Sequence, residues 1–178
     1  VVDEEQLLSL KRAFGYSLTA CTGQKSFFLL QGETSTGKST LFNIWRIALQ
    51  STDLCTTISP ALLCDDKTSG IQAHHETLES GARLAYCSEF DTSMKINKSS
   101  FKRLTGGDII NFRPMRAKKR DYLCVAKIWL FTNQTPDMDI MDDAMMNRLM
   151  TFHFRNSFQK PSDRQISLVK WVENHPQD

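Results

Sequence analysis

Short apolar runs alternate with longer amphipathic stretches along this 178-residue chain. Five of the runs have the short, continuous apolar character of buried strands. We predict these strands at residues 26–31, 55–59, 82–87, 127–131 and 149–154. Helical spacing of apolar residues predicts helices at 4–19, 40–50, 94–104 and 140–147. This alternation is typical of an α/β fold in which helices sandwich a five-stranded, mostly parallel sheet.

Three further segments complete the predicted architecture. The helix at 40–50 is apolar nearly all round, so we expect it to be enclosed inside the domain. Residues 65–72 are polar and are predicted to be a loop. Residues 109–113 and 122–126 are predicted to be two β arms on either side of a basic segment, forming a hairpin directly before the strand at 127–131.

The length fits a single domain, which we divide into three parts. Residues 1–25 form an N-terminal helix and connection, residues 26–155 the core, and residues 156–178 an incomplete C-terminal segment. Because the chain begins with Val1 rather than Met, we expect a fragment of a longer protein. No apolar run reaches the roughly 18 residues that span a bilayer, so no membrane association is expected. Five scattered cysteines indicate reduced thiols in an intracellular compartment.

The sequence between the first strand and the helix at 40–50 is a complete Walker A motif. Its glycines let backbone N–H groups surround phosphate oxygens, and Lys38 is positioned to reach the β- and γ-phosphates. The hydroxyl of Ser39 is of the kind that binds Mg²⁺, and the positive end of the helix dipole faces the phosphates. We therefore predict that ATP and Mg²⁺ are bound by Gly32, Glu33, Thr34, Ser35, Thr36, Gly37, Lys38, Ser39 and Thr40.

Hydrolysis requires further groups near the phosphates. Glu89 ends the strand at 82–87, where a carboxylate would complete a metal site with Ser39, and Asp91 could assist it. Asn133 ends the next buried strand, where its amide could reach the γ-phosphate and the attacking water. The alternative interpretations are a solvent-exposed loop glutamate and ordinary turn chemistry for the asparagine.

Arg148 stands directly before the last predicted strand. An arginine in this position suits an arginine finger, which stabilises charge on the transferring phosphoryl group. If it acted on a neighbouring subunit, the protein would have to form a ring. The alternative is a surface arginine paired with Asp142 or Asp143.

Basic residues are concentrated in one segment. Residues 113–120 hold five of the 22 lysines and arginines and no acid, which leaves a slightly acidic remainder. Lysine and arginine neutralise nucleic-acid phosphates without reading sequence. A hairpin tip of this kind favours contact with a polyanion, although a charged tip can also be an ordinary solvated surface.

Together these residues resemble the superfamily 3 helicases of viruses and plasmids, which are AAA+ ATPases. The resemblance is greatest to the helicase part of phage and poxvirus-type primase-helicases of large DNA viruses. It runs from about Leu7 to Phe154. The strings that carry it are residues 10–19, Ser88-Glu89, Leu104-Thr105-Gly106-Gly107-Asp108, Thr132-Asn133, and Asp143-Ala144 followed by Arg148.

The resemblance implies a P-loop ATPase of AAA+ type that forms a ring, usually hexameric, and moves along single-stranded DNA. It assigns catalytic roles to Lys38, Glu89, Asn133 and the arginine finger Arg148. It implies that the hairpin before the strand at 127–131 contacts DNA through Arg116, Lys118, Lys119 and Arg120. It also implies a location in the host cytoplasm or at the site of viral replication.

Three other functions would share some of these features. An AAA+ ATPase that remodels or loads protein partners would carry an aromatic pore loop, whereas this hairpin is basic. A nucleotide-dependent oligomerisation module would have lost its hydrolytic residues. A small-molecule phosphotransferase would explain the Walker A motif but not Asn133, Arg148 and the hairpin.

Overall fold

The computed structural model describes residues 3–49, 53–64, 71–88, 90, 97–114, 116–134, 142–158 and 174, with the backbone alone at 71–73. The helices are α1 (Glu4–Ser17), α2 (Lys38–Ala48), α3 (Ile71–Glu79), α4 (Lys98–Gly106) and α5 (Asp143–Met146), with one 3₁₀ turn at Pro60–Leu62. The strands are β1 (Phe27–Gln31), β2 (Cys55–Thr57), β3 (Leu84–Cys87), β4 (Ile109–Phe112), β5 (Arg120–Leu123), β6 (Lys127–Thr132) and β7 (Leu149–His153).

Five strands form one sheet in the order β2-β3-β6-β1-β7, and every adjacent pair is parallel. The predicted α/β fold and its five strands are therefore confirmed. All five strands end at the same side of the sheet, which we call the carboxyl edge, and begin at the opposite side, the amino edge. In open parallel sheets, ligands bind beyond the carboxyl ends of the strands.

Both faces of the sheet are covered, because β1 is apolar on both sides. Phe28 and Leu30 face a cluster that includes residues of α1 and α2, while Phe27 and Leu29 face the side of α3, α4 and α5. On the first face, the fully buried Trp129 stacks on Phe14 at a ring-centroid distance of 4.8 Å. Helices thus sandwich the sheet, as the sequence predicts.

Helix α2 differs from its prediction. Although it is apolar nearly all round, only Lys38 and Phe42 are buried along its length, so it is not enclosed. The helix belongs to the outer layer on its face of the sheet, where Leu41, Ile44 and Ile47 are half-buried. An apolar composition on all sides does not show how many of those sides are covered.

Helix α3 was not predicted. Of the stretch 65–72, which was expected to be a loop, residues 65–70 lie outside the described residues, but Ile71 already begins the helix. The pattern was missed because α3 carries few apolar residues and includes two histidines.

No helix in the described part of the chain is long and apolar enough to cross a membrane.

Strands β4 and β5 form a separate antiparallel pair, and the second arm runs over Arg120–Leu123 rather than over the predicted residues 122–126. Ile110 lies opposite Tyr122, and both are buried, as is Phe112. Ile109 and Leu123 lie opposite each other on the other face, where they are 69% and 47% exposed. The pair therefore packs one face on the body of the domain and turns the other outward.

Candidate nucleotide-binding site

The Walker A residues form a tight loop at the carboxyl edge, between β1 and α2. A Cβ atom added to Gly32 would lie 2.4 Å from the backbone oxygen of Phe154, so this position has no room for a side chain. Gly37 has a φ of 90°, in the left-handed region that glycine adopts without strain. The two glycines thus allow the loop to pass close to β7 and turn into α2.

Lys38 folds back into this loop. Its Nζ atom donates to the backbone oxygens of Gly32 at 2.5 Å and Glu33 at 2.9 Å. It also lies 3.1 Å from the side-chain oxygen of Asn133. The residue is 7% exposed, and burial lowers the pKa of its ammonium group. Lys38 and Asn133, which are far apart in sequence, are therefore brought together, as their predicted roles require.

Ser39 lines a cleft of about 220 Å³ beside the loop. The other residues around it come from α2 and from the ends of β2, β3 and β6, and they are Phe42, Asn43, Arg46, Thr57, Tyr86, Ser88 and Phe131. Glu89 and Asp91 lie outside the described residues, so their predicted roles remain predictions. The described neighbour Phe90 donates its backbone N–H to the oxygen of Phe131 at 2.9 Å.

The chain that follows β7 packs along the phosphate loop. The N–H of Phe154 donates to the oxygen of Gln31 at 2.7 Å, and that of Phe158 donates to the oxygen of Ser35 at 2.8 Å. The Phe158 ring lies 3.9 Å from where a Cβ of Gly37 would stand. Sequence reasoning missed this contact, since nothing in residues 154–158 indicates which loop they meet.

Arg148 lies at the amino edge, on the other side of the sheet from the loop. Its Nη1 atom donates to the backbone oxygen of Lys102 and to Thr105 Oγ1, both at 3.1 Å. Asp142 pairs with Lys102 at 2.6 Å, and this hydrogen bond holds the pKa of Asp142 below its ordinary value. The structure therefore does not bring Arg148 to Lys38 within one chain.

Residues 30–148 match a family model described as a family of unknown function (DUF5906). The chain belongs to this family. The matched residues run from Leu30 in β1 to Arg148, directly before β7, and include the phosphate loop and Asn133.

Individual relatives are viral. The chain is 32% identical over 153 residues to the vaccinia virus uncoating factor OPG117, a match that covers 83% of this chain and 19% of that protein. It is 29% identical over 154 residues to a putative helicase of Acanthamoeba polyphaga mimivirus (86% and 16% covered). It is 28% identical over 165 residues to a primase of fowlpox virus (86% and 20% covered). The predicted relationship to viral primase-helicases is confirmed, and the chain spans about a fifth of the length of these relatives.

A solved structure shares the fold. The apo C-terminal region of NrS-1 (305–718) superposes with a TM-score of 0.65 at 12% identity, covering 99% of this chain and 44% of that one. At this identity the likeness supports the architecture of the family domain and nothing finer.

One of the strings that carry the resemblance, residues 104–108, forms the end of α4. Gly107 follows the helix with a φ of 78°, and a Cβ there would lie 2.9 Å from Thr22 Oγ1. Thr105 donates to the oxygen of Phe101 and accepts from Arg148. These residues therefore end α4 and contact Thr22, in the connection after α1, and Arg148.

The four predicted DNA-contacting residues, Arg116, Lys118, Lys119 and Arg120, are all exposed on or beside the loop between β4 and β5. Within the loop, Ala117 closes a turn onto Pro114, and Arg113 donates to the oxygen of Ala117 at 3.3 Å. Within the part of the chain that the structure describes, Arg120 is the one of the four with an ion-pair partner, because its Nη1 atom pairs with Glu79 Oε2 at 3.1 Å.

Proposed function

We propose that this chain is the ATP-driven motor of a viral DNA helicase, a superfamily 3 ATPase of AAA+ type. The contact between Lys38 and Asn133 carries the proposal. It unites the phosphate-binding loop at the end of β1 with a polar amide at the end of β6. Phosphoryl transfer depends on such positioning of a cationic group and a water-orienting group around one phosphate.

Residues 32–40 suit the triphosphate of ATP. Gly32 and Gly37 allow the tight path of the loop, and the ammonium group of Lys38 already bonds to oxygen acceptors that phosphate oxygens can replace. Ser39 would hold Mg²⁺ together with Glu89. When bound, the metal supplies positive charge that neutralises the β- and γ-oxygens. Asn133 would orient the water, and Glu89 would accept its proton.

The exposed lysines and arginines at the tip of the β4–β5 hairpin suit single-stranded DNA. Such residues bind backbone phosphates with little regard to sequence. Arg148 lies at the amino edge, so its contribution to hydrolysis would be made to the site of an adjacent subunit. That arrangement favours a ring, which we propose is a hexamer in the full-length protein, working where the virus replicates inside the host cell.

The experiment is an ATPase measurement on the full-length protein with and without single-stranded DNA, accompanied by nucleotide-binding titrations. We expect DNA to stimulate turnover. Lys38→Ala should abolish nucleotide binding, because it removes the charge that meets the phosphates. Glu89→Gln should bind normally but lose turnover at least roughly 100-fold, as for loss of a general base.

Matched variants test the specificity of these effects. Lys11→Ala changes an exposed lysine on α1 and should leave binding and turnover unchanged. Reversal of Lys118 and Lys119 to Glu should remove DNA stimulation, while the same reversal at exposed Lys11 and Arg12 should not. Normal turnover in Glu89→Gln, or DNA affinity that survives the hairpin reversal, would contradict the proposal.

A further inference from the structure

Among the described residues, helix α3 contacts the hairpin through His75 and Glu79, which lie on one of its faces. His75 Nδ1 and the hydroxyl of Tyr122 are hydrogen-bonded at 2.8 Å. The His75 ring also stacks on Phe112, with ring centroids 5.5 Å apart and planes 30° apart. Glu79 follows His75 by four residues, so it lies one turn along the same face.

The third contact is the ion pair between Glu79 and Arg120. Arg120 lies opposite Phe112 in the register of the two arms. The residues that α3 contacts, Phe112, Arg120 and Tyr122, therefore lie close together on the hairpin, next to the basic loop. A ring stack, a hydroxyl hydrogen bond and an ion pair together define both the distance and the orientation of the arms relative to α3.

The protonation states of these groups favour a stable contact between α3 and the hairpin near pH 7. Burial, followed by the charges of Arg103 and His74, lowers the pKa of His75, and burial raises the pKa of Tyr122. Both groups are therefore neutral near pH 7, so their hydrogen bond requires no buried charge. The Glu79 side chain is 25% exposed, which makes it more sheltered than the arginine it holds, at 54%.

Arg120 thus differs from its neighbours in the basic segment. Among the described residues, it is the one member of the predicted DNA-contacting set that has an ion-pair partner. Lys118 and Lys119 are exposed in the loop itself. An arginine already paired with a carboxylate would have to give up that pair before it could neutralise a DNA phosphate.

We propose that His75 and Glu79 are the positioning residues of the hairpin and that Arg120 is their anchor rather than a DNA contact. Phosphate contact then falls to Arg116, Lys118 and Lys119. This assignment rests on the proposed function for the identity of the ligand, but the attachment itself is a property of the fold and can be measured without DNA.

The salt dependence of DNA binding distinguishes an anchor from a phosphate contact. Loss of one phosphate contact lowers the slope of log K against log salt by roughly 0.7 for single strands. We expect Lys118→Gln and Lys119→Gln to lower the slope by about this amount. Arg120→Gln and Glu79→Gln should each weaken DNA binding with the slope unchanged, and the double variant should be no weaker than either single variant.

The opposite results would overturn the assignment. If Arg120 is a DNA contact that Glu79 restrains, Glu79→Gln will raise DNA affinity, and Arg120→Gln will lower the slope as Lys118→Gln does. Basal ATPase turnover and nucleotide affinity should stay at the wild-type level in the Glu79 variant. A loss of either would show a general structural defect in place of a positioning role.

Hydrogen exchange of residues 109–123 in the full-length protein tests the attachment independently of DNA. Glu79→Gln should speed exchange there about two- to fivefold, the size expected for one exposed ion pair. Tyr122→Phe, which keeps the ring and removes the hydroxyl, should do the same or more. Lys118→Gln is the control and should leave the exchange rates unchanged.

Unchanged exchange in Glu79→Gln and Tyr122→Phe would refute the anchor even if the helicase function is correct. Faster exchange in these variants, together with a protein that does not bind DNA, would refute the function alone.

Discussion

The carboxyl edge and the amino edge of the sheet carry different kinds of polar contact. At the carboxyl edge, the chain approaches itself so closely that Gly32 has no room for a Cβ, and Lys38 is almost fully buried. At the amino edge, Arg148 and the Lys102–Asp142 pair keep part of their surface in solvent. The first edge is fixed by backbone atoms, whereas the second is held by side chains that could also meet another molecule.

The difference predicts how each edge responds to change. A loop fixed by backbone packing tolerates almost no added volume, because neighbouring backbone cannot step aside. Side-chain contacts at a partly exposed edge contribute less to stability, since water replaces them when they are lost. Substitutions at the carboxyl edge should therefore affect folding and nucleotide binding together, while those at the amino edge should separate stability from activity.

The largest effect is expected for Gly32→Ala. The new methyl group would overlap the backbone oxygen of Phe154 and lie 2.9 Å from its Cβ, so β7 or the loop must move. We expect the free energy of unfolding to fall by about 1–3 kcal/mol, and nucleotide binding to be lost. Chemical denaturation and nucleotide titration measure the two quantities.

Gly15→Ala is the matched control. Gly15 lies within α1, and nothing stands within 4 Å of its added Cβ. Alanine should stabilise this helix by about 0.5–1 kcal/mol and leave nucleotide binding unchanged. Equal destabilisation by the two substitutions would show that the close approach at Gly32 does not limit the loop.

The two edges also differ in how far the sequence predicts them. The phosphate loop is contiguous, so its chemistry follows from eight neighbouring residues, and the strand before it begins with four apolar residues. The link to Asn133 could be expected because parallel strands end at one edge. The packing of Phe158 on Ser35 could not, since a loop's partner depends on where the whole chain runs.

At the amino edge, the sequence predicted residue types but not their partners. Arg148 was expected either as a finger or in a pair with Asp142 or Asp143, yet it bonds to the end of α4, and Lys102 takes Asp142. These contacts join segments about forty residues apart. Helix α3 escaped prediction because it carries few apolar residues, and its histidines bond to Ser59 and Tyr122, which the sequence does not indicate.

An intermediate effect is expected for Arg148→Ala, with Thr105→Val as its partner experiment. Arg148→Ala removes two hydrogen bonds to α4 and should lower the free energy of unfolding by about 1–2 kcal/mol. Thr105→Val removes the hydroxyl that accepts from Arg148 and donates to the oxygen of Phe101, and it should cost about 1 kcal/mol. If Arg148 acts on an adjacent subunit, Arg148→Ala should also lose turnover, whereas Thr105→Val should keep most of it.

A mixture of inactive Arg148→Ala and inactive Lys38→Ala proteins completes this test. Some interfaces in a mixed ring would combine an intact loop with an intact arginine, so part of the ATPase turnover should return. No recovery in mixed rings whose formation is verified by native mass measurement would exclude action between subunits. Equal loss of turnover in Thr105→Val would instead assign Arg148 to the support of α4.

The smallest effect is expected from mildly acidic pH, which should lower the free energy of unfolding by protonating the two histidines of α3. Burial lowers the pKa values of both His74 and His75 from the ordinary value of 6.5. His74 Nε2 accepts from the N–H of Ser59, and His75 Nδ1 is hydrogen-bonded to the hydroxyl of Tyr122. The unfolded chain then binds protons more readily than the folded one, so stability is complete above pH 6.5 and falls as the pH drops through that value toward the lower folded pKa. Denaturation curves at a series of pH values between neutrality and mild acid should show this decline, and it should shrink in a His74→Gln, His75→Gln variant. The lowered pKa of Asp142 acts only at more acidic pH, below its ordinary value of 3.8, and so does not interfere. If stability declines by the same amount in the His74→Gln, His75→Gln variant, the acid-sensitive groups lie elsewhere in the protein.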